Sequence, residues 1–353
     1  MYKFFLLFFV LTTPVLYEGR YRPLETLPEG AAYTTLQVED YSSIAGTVYL
    51  KAEGKSLRYP TYGQLRAELL LHALPFKWMI ISAYAGALLF WKRGLGKFFL
   101  GMGFSMHTLM LLLRCYVLQR PPVTNMSETL LYVPWIALLV GFLFYKRKNA
   151  LFAATLTATL LFLLWPEKVM LENVQAVLDS QYWLIIHVLM VVGSYGVFCV
   201  SGICAHLFLI KKSPSLEKTV IQTMYLGTAL LISGTILGGV WAAQSWGRFW
   251  DWDPKEAWAF ISSGTYLVGI HAYRFKKIGG RGLAISSIIG LLTITFTWYG
   301  VNYILGSGLH SYGFGNGGEI YYYLYLLGEL IFLSSIFLKI DKKLIIEKKD
   351  RRR

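Results

Sequence analysis

Trp246-Gly247-Arg248-Phe249-Trp250-Asp251-Trp252-Asp253-Pro254-Lys255-Glu256-Ala257-Trp258 sets tryptophans and carboxylates directly before a long apolar helix. With Trp241 added, five of the chain's 11 Trp fall within 18 of its 353 residues. Such density calls for a large, flat, apolar ligand. The same stretch also begins a helix, because Asp253 as N-cap, Pro254 at the first helical position and Glu256 two positions later make a capping signature. Capping accounts for Asp253 to Glu256 and leaves Asp251 and the Trp faces to be explained.

Working outward, apolar runs recur at 78–92, 98–118, 130–145, 150–165, 182–210, 219–243, 257–274, 283–304 and 321–338. Most approach the roughly 20 residues that a bilayer span requires. Hydrophobic residues make up 55% of the chain and charged residues 15%, more apolar surface than one soluble core can hide. The expected fold is an all-α polytopic membrane protein of about nine transmembrane helices. The apolar run Phe4–Leu16 behind Lys3 adds an N-terminal signal anchor or signal peptide (1–17), read as an uncleaved anchor because no Ala-x-Ala site follows it. Residues 18–77 form a small extracytoplasmic segment, with a strand hint at Thr47-Val48-Tyr49-Leu50 and a surface-lying amphipathic helix over Tyr62–Ala73. The transmembrane domain then runs over 78–338, and 339–353 is a basic tail.

The formal charge of +14 does not indicate nucleic acid, because Lys and Arg gather in alternate loops: Lys92 to Lys97, Lys146 to Lys148, Lys211 to Lys218, Arg274 to Arg281 and the tail. This is the positive-inside pattern. It puts the C-terminus in the cytoplasm of a cell with its plasma (bacterial inner) membrane crossed many times, and turns the Trp-rich segment to the outer face. Cys115, Cys199 and Cys204 all lie in apolar runs with no Cys-x-x-Cys pair, which excludes a thiol oxidoreductase and makes them small core residues.

Six histidines remain as chemistry. At 1.5 Å per residue, His187 lies within roughly 8 Å of the outer surface, and His310 falls in an outer loop. Two imidazoles on opposite faces of a porphyrin clamp its iron. His271 is about 21 Å below Ala257 on the descending helix and cannot serve the same site; an ionisable group so deep is a functional hypothesis by default. His107 and His206 are candidates to face it. A single membrane histidine has an equally plain reading as an interhelical hydrogen bond, and boundary tryptophans one as an interfacial belt. Arg114 and Arg120 near the outer end of their helix, and Arg248 inside the motif, either snorkel or pair with ligand carboxylates. Asn125 with Glu128 caps the helix that follows. Gly234-x-x-x-Gly238 is read as close helix packing.

These residues resemble the CcsA (ResC) type of cytochrome c biogenesis protein, within the Trp-rich (WWD-domain) haem-handling superfamily. The resemblance covers roughly 76–338. It rests on WGRFWDWDPKEAW, on Tyr182-Trp183-Leu184-Ile185-Ile186-His187, on His271-Ala272-Tyr273-Arg274, on Gly300-Val301-Asn302-Tyr303 leading to His310-Ser311-Tyr312, and on Arg120-Pro121-Pro122 with Asn125 and Glu128. It implies a haem exporter and holocytochrome c synthase. His187 and His310 would then be axial ligands of an outer haem b, lying on a platform of Trp241, Trp246, Trp250, Asp251, Trp252 and Trp258 with Arg120 and Arg248. His271 would be a ligand of an inner haem, its opposite ligand coming from a CcsB-like membrane subunit, with His107 as the in-chain fallback. The partner substrate would be a secreted apocytochrome c whose CxxCH thiols add to the haem vinyl groups, catalysed by orientation and iron ligation. His310, the loop residue, would be the ligand that the substrate histidine replaces. Two other readings remain: a CcmC-like haem chaperone without synthase activity, and an unrelated transporter of a flat apolar ligand.

Overall fold

In the computed structural model, which describes residues 14–17, 20–23, 38–44, 47–52, 55–59, 62–165, 181–305 and 319–350, every apolar run from 78 onward is helical. Helices Gly94–Leu118, Met126–Leu143, Ile185–Lys211, Pro214–Trp246, Gly280–Leu305 and Glu319–Leu338 are long and apolar enough to cross a membrane; Phe76–Leu89 and Lys148–Leu164 are apolar but shorter. The chain is a polytopic helical membrane protein. We label the helices α1 (Tyr62–Ala73), α2 (Phe76–Leu89), α3 (Gly94–Leu118), α4 (Met126–Leu143), α5 (Lys148–Leu164), α6 (Leu189–Lys211), α7 (Pro214–Trp246), α8 (Pro254–Arg274), α9 (Gly280–Thr295) and α10 (Glu319–Asp350). α6 is preceded by a π-helical turn, Leu184–Val188, and α9 continues as a π-helical stretch, Phe296–Leu305.

Ahead of the helices, β1 (Pro14–Tyr17) pairs antiparallel with β2 (Arg20–Pro23), and β3 (Val38–Ile44), β4 (Thr47–Ala52) and β5 (Lys55–Tyr59) form an antiparallel meander. The strand expected at Thr47–Leu50 is thus the start of β4. Of the expected anchor, 1–13 lies outside the described residues, and Pro14–Tyr17 is strand rather than helix.

The chain divides into two units, 1–135 with 159–184 and 136–158 with 185–353, and α4 and α5 contribute to both. In the first unit, α2 and α3 pack side by side around Ile80, Tyr84 and Met110, all buried. α1 does not simply lie on a surface. It docks on α3, where Arg114 donates to both carboxylate oxygens of Glu68 at 3.1 Å and Gln64 donates to the Tyr116 carbonyl at 3.2 Å. A carboxylate as buried as Glu68 requires such a counter-charge. α4 starts where Asn125 Oδ1 accepts from the Glu128 N–H at 2.9 Å, as its sequence indicates. Trp165 Nε1 donates to the Ser127 carbonyl at 2.9 Å, which fastens the end of α5 to α4.

In the second unit, α6 packs against α7 and α9, and α8 against α9 and α7. Phe198 and Tyr266 stack with centroids 3.8 Å apart. Small hydroxyl pairs tie the helices within the apolar interior, Ser201 to Ser287 at 2.9 Å and Ser262 to Thr297 at 3.1 Å, a use of polar side chains suited to a bilayer where burial of apolar surface drives little.

Candidate functional site

His187 sits in the π-helical turn that precedes α6. Its Nδ1 donates to the Gly234 carbonyl on α7 at 2.7 Å. Because a carbonyl only accepts, the proton is fixed on Nδ1 and the lone pair on Nε2. A backbone carbonyl behind the ring is how metal-bound imidazoles are usually oriented. The glycines make the seat possible: a Cβ at Gly238 would collide with the His187 ring, and one at Gly234 with Val191. Gly234-x-x-x-Gly238 therefore does more than pack two helices. It shapes a slot for one imidazole, which the spacing alone did not reveal.

The Trp-rich segment is led back to this slot. α7 ends at Gly247, whose φ of 71° places it in the left-handed region that glycine tolerates. Phe249 then lies where a Cβ on Gly239 would be, one residue from the slot floor. Trp241, on the same helix, meets the His187 ring at 5.9 Å and 62°. Trp250 and Trp252 meet edge to face at 5.9 Å, and Trp252 meets Phe260 at 6.3 Å. Trp258 packs on Phe296 at 4.2 Å. Trp246 is half-buried at the end of α7.

Trp252 is 69% exposed and adopts φ 54°. For a bulky side chain that backbone costs on the order of 1–3 kcal/mol, the kind of strain held at ligand sites. The turn is held by its acids. Glu256 Oε2 accepts from the Asp251 N–H at 2.9 Å and the Asp253 N–H at 3.3 Å, and Asp253 accepts from the Lys255 N–H at 2.9 Å. The capping box read from the sequence is present. Asp251, which capping had left over, accepts from Arg248 at 2.6 Å.

The arginines part ways. Arg120 is forked onto Glu128, at 2.8 and 2.9 Å, with both side chains buried, and Thr124 donates to the same carboxylate through its N–H and hydroxyl. The charge of Arg120 is thus met by Glu128, as that of Arg114 is by Glu68. Arg248 is exposed, and a solvent-facing bridge to Asp251 is weak enough to exchange for another anion.

The remaining histidines also separate. His107 is fully buried; its Nε2 donates to the Leu131 carbonyl at 2.8 Å and its Nδ1 accepts from the Tyr84 hydroxyl at 3.0 Å, with Phe162 perpendicular at 4.6 Å. Both ring nitrogens of His107, the in-chain fallback for an iron ligand opposite His271, are thus engaged within the first unit. His206 is likewise engaged at both, by Gly202 and Glu329. His271 differs. It is exposed near the end of α8, its Nδ1 donates to the Leu267 carbonyl at 2.7 Å, and its Nε2 has no hydrogen-bond partner among the described residues. His310 lies outside the described residues. Among those described, no cluster of His, Cys, Asp and Glu forms a metal-ion site.

Comparison with known proteins bears on the same residues. Residues 123–310 match the family model described as cytochrome C assembly protein, a stretch that takes in His187, the Trp-rich segment and His271 and ends at His310. The chain belongs to the cytochrome c assembly protein family. Among its relatives, NrfI of Wolinella succinogenes is 36% identical over 235 residues, 60% of this chain but 25% of that protein. The family's CcsA members are also similar: that of Chlamydomonas reinhardtii is 29% identical over 245 residues (62% of this chain, 69% of that one), and that of Prochlorococcus marinus AS9601 is 30% identical over 251 (58% and 80%). The chain thus spans about a quarter of the length of NrfI and most of the length of the CcsA proteins.

Proposed function

We propose that the chain exports haem b through the membrane and presents it, reduced, for covalent attachment to the CxxCH motif of a secreted apocytochrome c, as a holocytochrome c synthase working with a CcsB-like subunit. In this reading the protein crosses a bacterial plasma membrane nine times behind an N-terminal anchor, with the Trp-rich segment outside and the basic tail inside. His187 and His310 bind the iron of the outer haem, Trp241, Trp246, Trp250, Trp252 and Trp258 offer ring faces and edges, and Arg248 exchanges Asp251 for a haem propionate. His271 binds an inner haem together with a residue of the partner.

The seat of His187 carries the reading. Its tautomer is set by the Gly234 carbonyl, its ring is admitted by Gly238, and Trp241 stands beside it. Attachment adds each thiol across a vinyl double bond, sulfur to one carbon and the thiol hydrogen to the other, without net redox change. The protein contributes orientation, worth several kcal/mol of barrier in well-aligned cases.

Protein purified from haem-replete cells should carry a bis-histidine haem spectrum, and a colourless protein overturns the reading. Coexpression with a CcsB-like subunit and a secreted apocytochrome distinguishes the synthase from a CcmC-like chaperone. Covalent haem in the product means synthase; bound haem with no covalent product means chaperone.

A further inference from the structure

Of the spans in the second unit, α10 is the least enclosed. Tyr321, Leu324, Leu327, Leu330, Ile331 and Leu338 are all more than half exposed. It is attached along a single seam, Tyr322, Tyr325, Glu329 and Phe332, which repeats every three or four residues on one helix face. Tyr322 lies at 6.0 Å from Phe296 and 5.9 Å from Tyr299, with its hydroxyl at 3.5 Å from the Leu292 carbonyl. Lower on the seam, Phe332 packs at 4.6 Å on the ring of His206. Between them Glu329 meets His206 at 3.0 Å, both side chains mostly buried.

That contact has a fixed proton count. His206 Nδ1 faces the Gly202 carbonyl at 2.7 Å, and a carbonyl only accepts, so Nδ1 carries hydrogen. Nε2 faces a carboxylate oxygen, and a hydrogen bond at 3.0 Å needs one proton between them. The proton makes the pair imidazolium with carboxylate, or imidazole with carboxylic acid. Both are neutral overall and both hold the seam. Without it, a nitrogen lone pair faces a carboxylate, and a net negative charge is left in an apolar bundle, where it is costly. The nearby titratable groups are Tyr322 and Tyr325 on α10, Cys199 on α6 and Tyr266 on α8, all neutral in their ordinary state; of the cations, Arg147 acts on Cys204 of α6 and Lys211 stands in the last turn of that helix.

We propose that His206 and Glu329 form a proton-binding site inside the second unit, and that the seating of α10 against α6 depends on the proton it holds. α10 is the helix that follows His310 in the chain, so the site ties the helix beyond that residue to a protonation state. The roles given to His187, His271 and the tryptophans do not enter the argument.

The test is the distance between spin labels on Ile210→Cys and Leu338→Cys, in the full chain without its native cysteines, reconstituted in lipid nanodiscs between about pH 5 and about pH 10, a range that brackets ordinary His titration. The otherwise unchanged protein should give one short distance at low pH and shift to a longer population as pH rises. In Glu329→Gln the amide donates to Nε2 with no titratable proton, so the short distance should persist across the range. Glu329→Leu should show the longer population throughout. A pH-independent distance in the unchanged protein, a Gln variant that shifts with pH as the unchanged protein does, or a Leu variant that keeps the short distance would each overturn the proposal.

Discussion

His187 and Gly234, 47 residues apart, are joined by a 2.7 Å hydrogen bond that chooses which nitrogen of the imidazole carries the proton. One turn further along α7, Gly238 admits the ring. Replacing Gly238 with Leu should therefore abolish haem retention as fully as His187→Gly does, by at least tenfold. The two differ in rescue. Added imidazole refills the space left by His187→Gly and should restore part of the haem spectrum, whereas in Gly238→Leu the space itself is filled. Equal rescue of both would sink the idea of a shaped slot.

The Arg120 and Glu128 pair should behave as structure. Removing one partner of a buried pair typically costs about 3–5 kcal/mol, while replacing both with apolar residues is often neutral. Arg120→Met alone should lower the unfolding midpoint in detergent sharply, and Arg120→Met with Glu128→Leu should recover most of the loss. Haem bound per folded molecule should be the same in both variants as in the unchanged protein; a selective loss of haem in a stable Arg120→Met protein would place this arginine at the ligand site.

His107 and His271 give opposite expectations. Substituting His107 with Leu leaves the buried Tyr84 hydroxyl without the ring nitrogen it donates to, at about 1–3 kcal/mol. Its effect should appear in thermal unfolding. His271→Gly should leave stability nearly unchanged, because the ring is exposed and held only by its own helix. Its effect should be loss of one haem spectral component. Spectra of the two variants, normalised to folded protein, decide between these assignments.

Trp252→Gly separates backbone from ring. Glycine takes the left-handed conformation without the penalty paid by tryptophan, so the variant should unfold at or slightly above the temperature of the unchanged protein. Haem retention should still fall severalfold, since the exposed ring at the edge of the cluster is gone. Retention at the unchanged level would mean that Trp252 is only an interfacial anchor.

Several elements could be read from local pattern because their causes are local. Asp253, Pro254 and Glu256 announce a helix start within four residues, and the structure has that start with its hydrogen bonds. Asn125 with Glu128 does the same for α4. The apolar runs correspond to the helices because a bilayer requires continuous apolar length. The identity of the Trp-rich segment was equally plain, since five tryptophans crowd into 18 residues.

Pairing across distance was not readable. Glu128 lies only eight residues beyond Arg120, but spacing alone does not say that the turn between α3 and α4 brings it onto both η nitrogens. His107, His206 and His271 look alike as histidines within apolar runs. They differ in their partners: a tyrosine and a carbonyl from other helices for His107, a carbonyl of its own helix and a glutamate of α10 for His206, and for His271 a carbonyl of its own helix with no second hydrogen-bond partner among the described residues. Gly234 and Gly238 could be read as a place where helices approach, but not as the seat of a particular ring. Sequence by itself determined the helices, their starts and the crowding of the tryptophans, because these follow from periodicity, composition and backbone chemistry within a few residues. Tertiary structure alone decided which charges are satisfied and which nitrogen of an imidazole carries the proton, because those partners are set by how helices and turns pack and not by local periodicity.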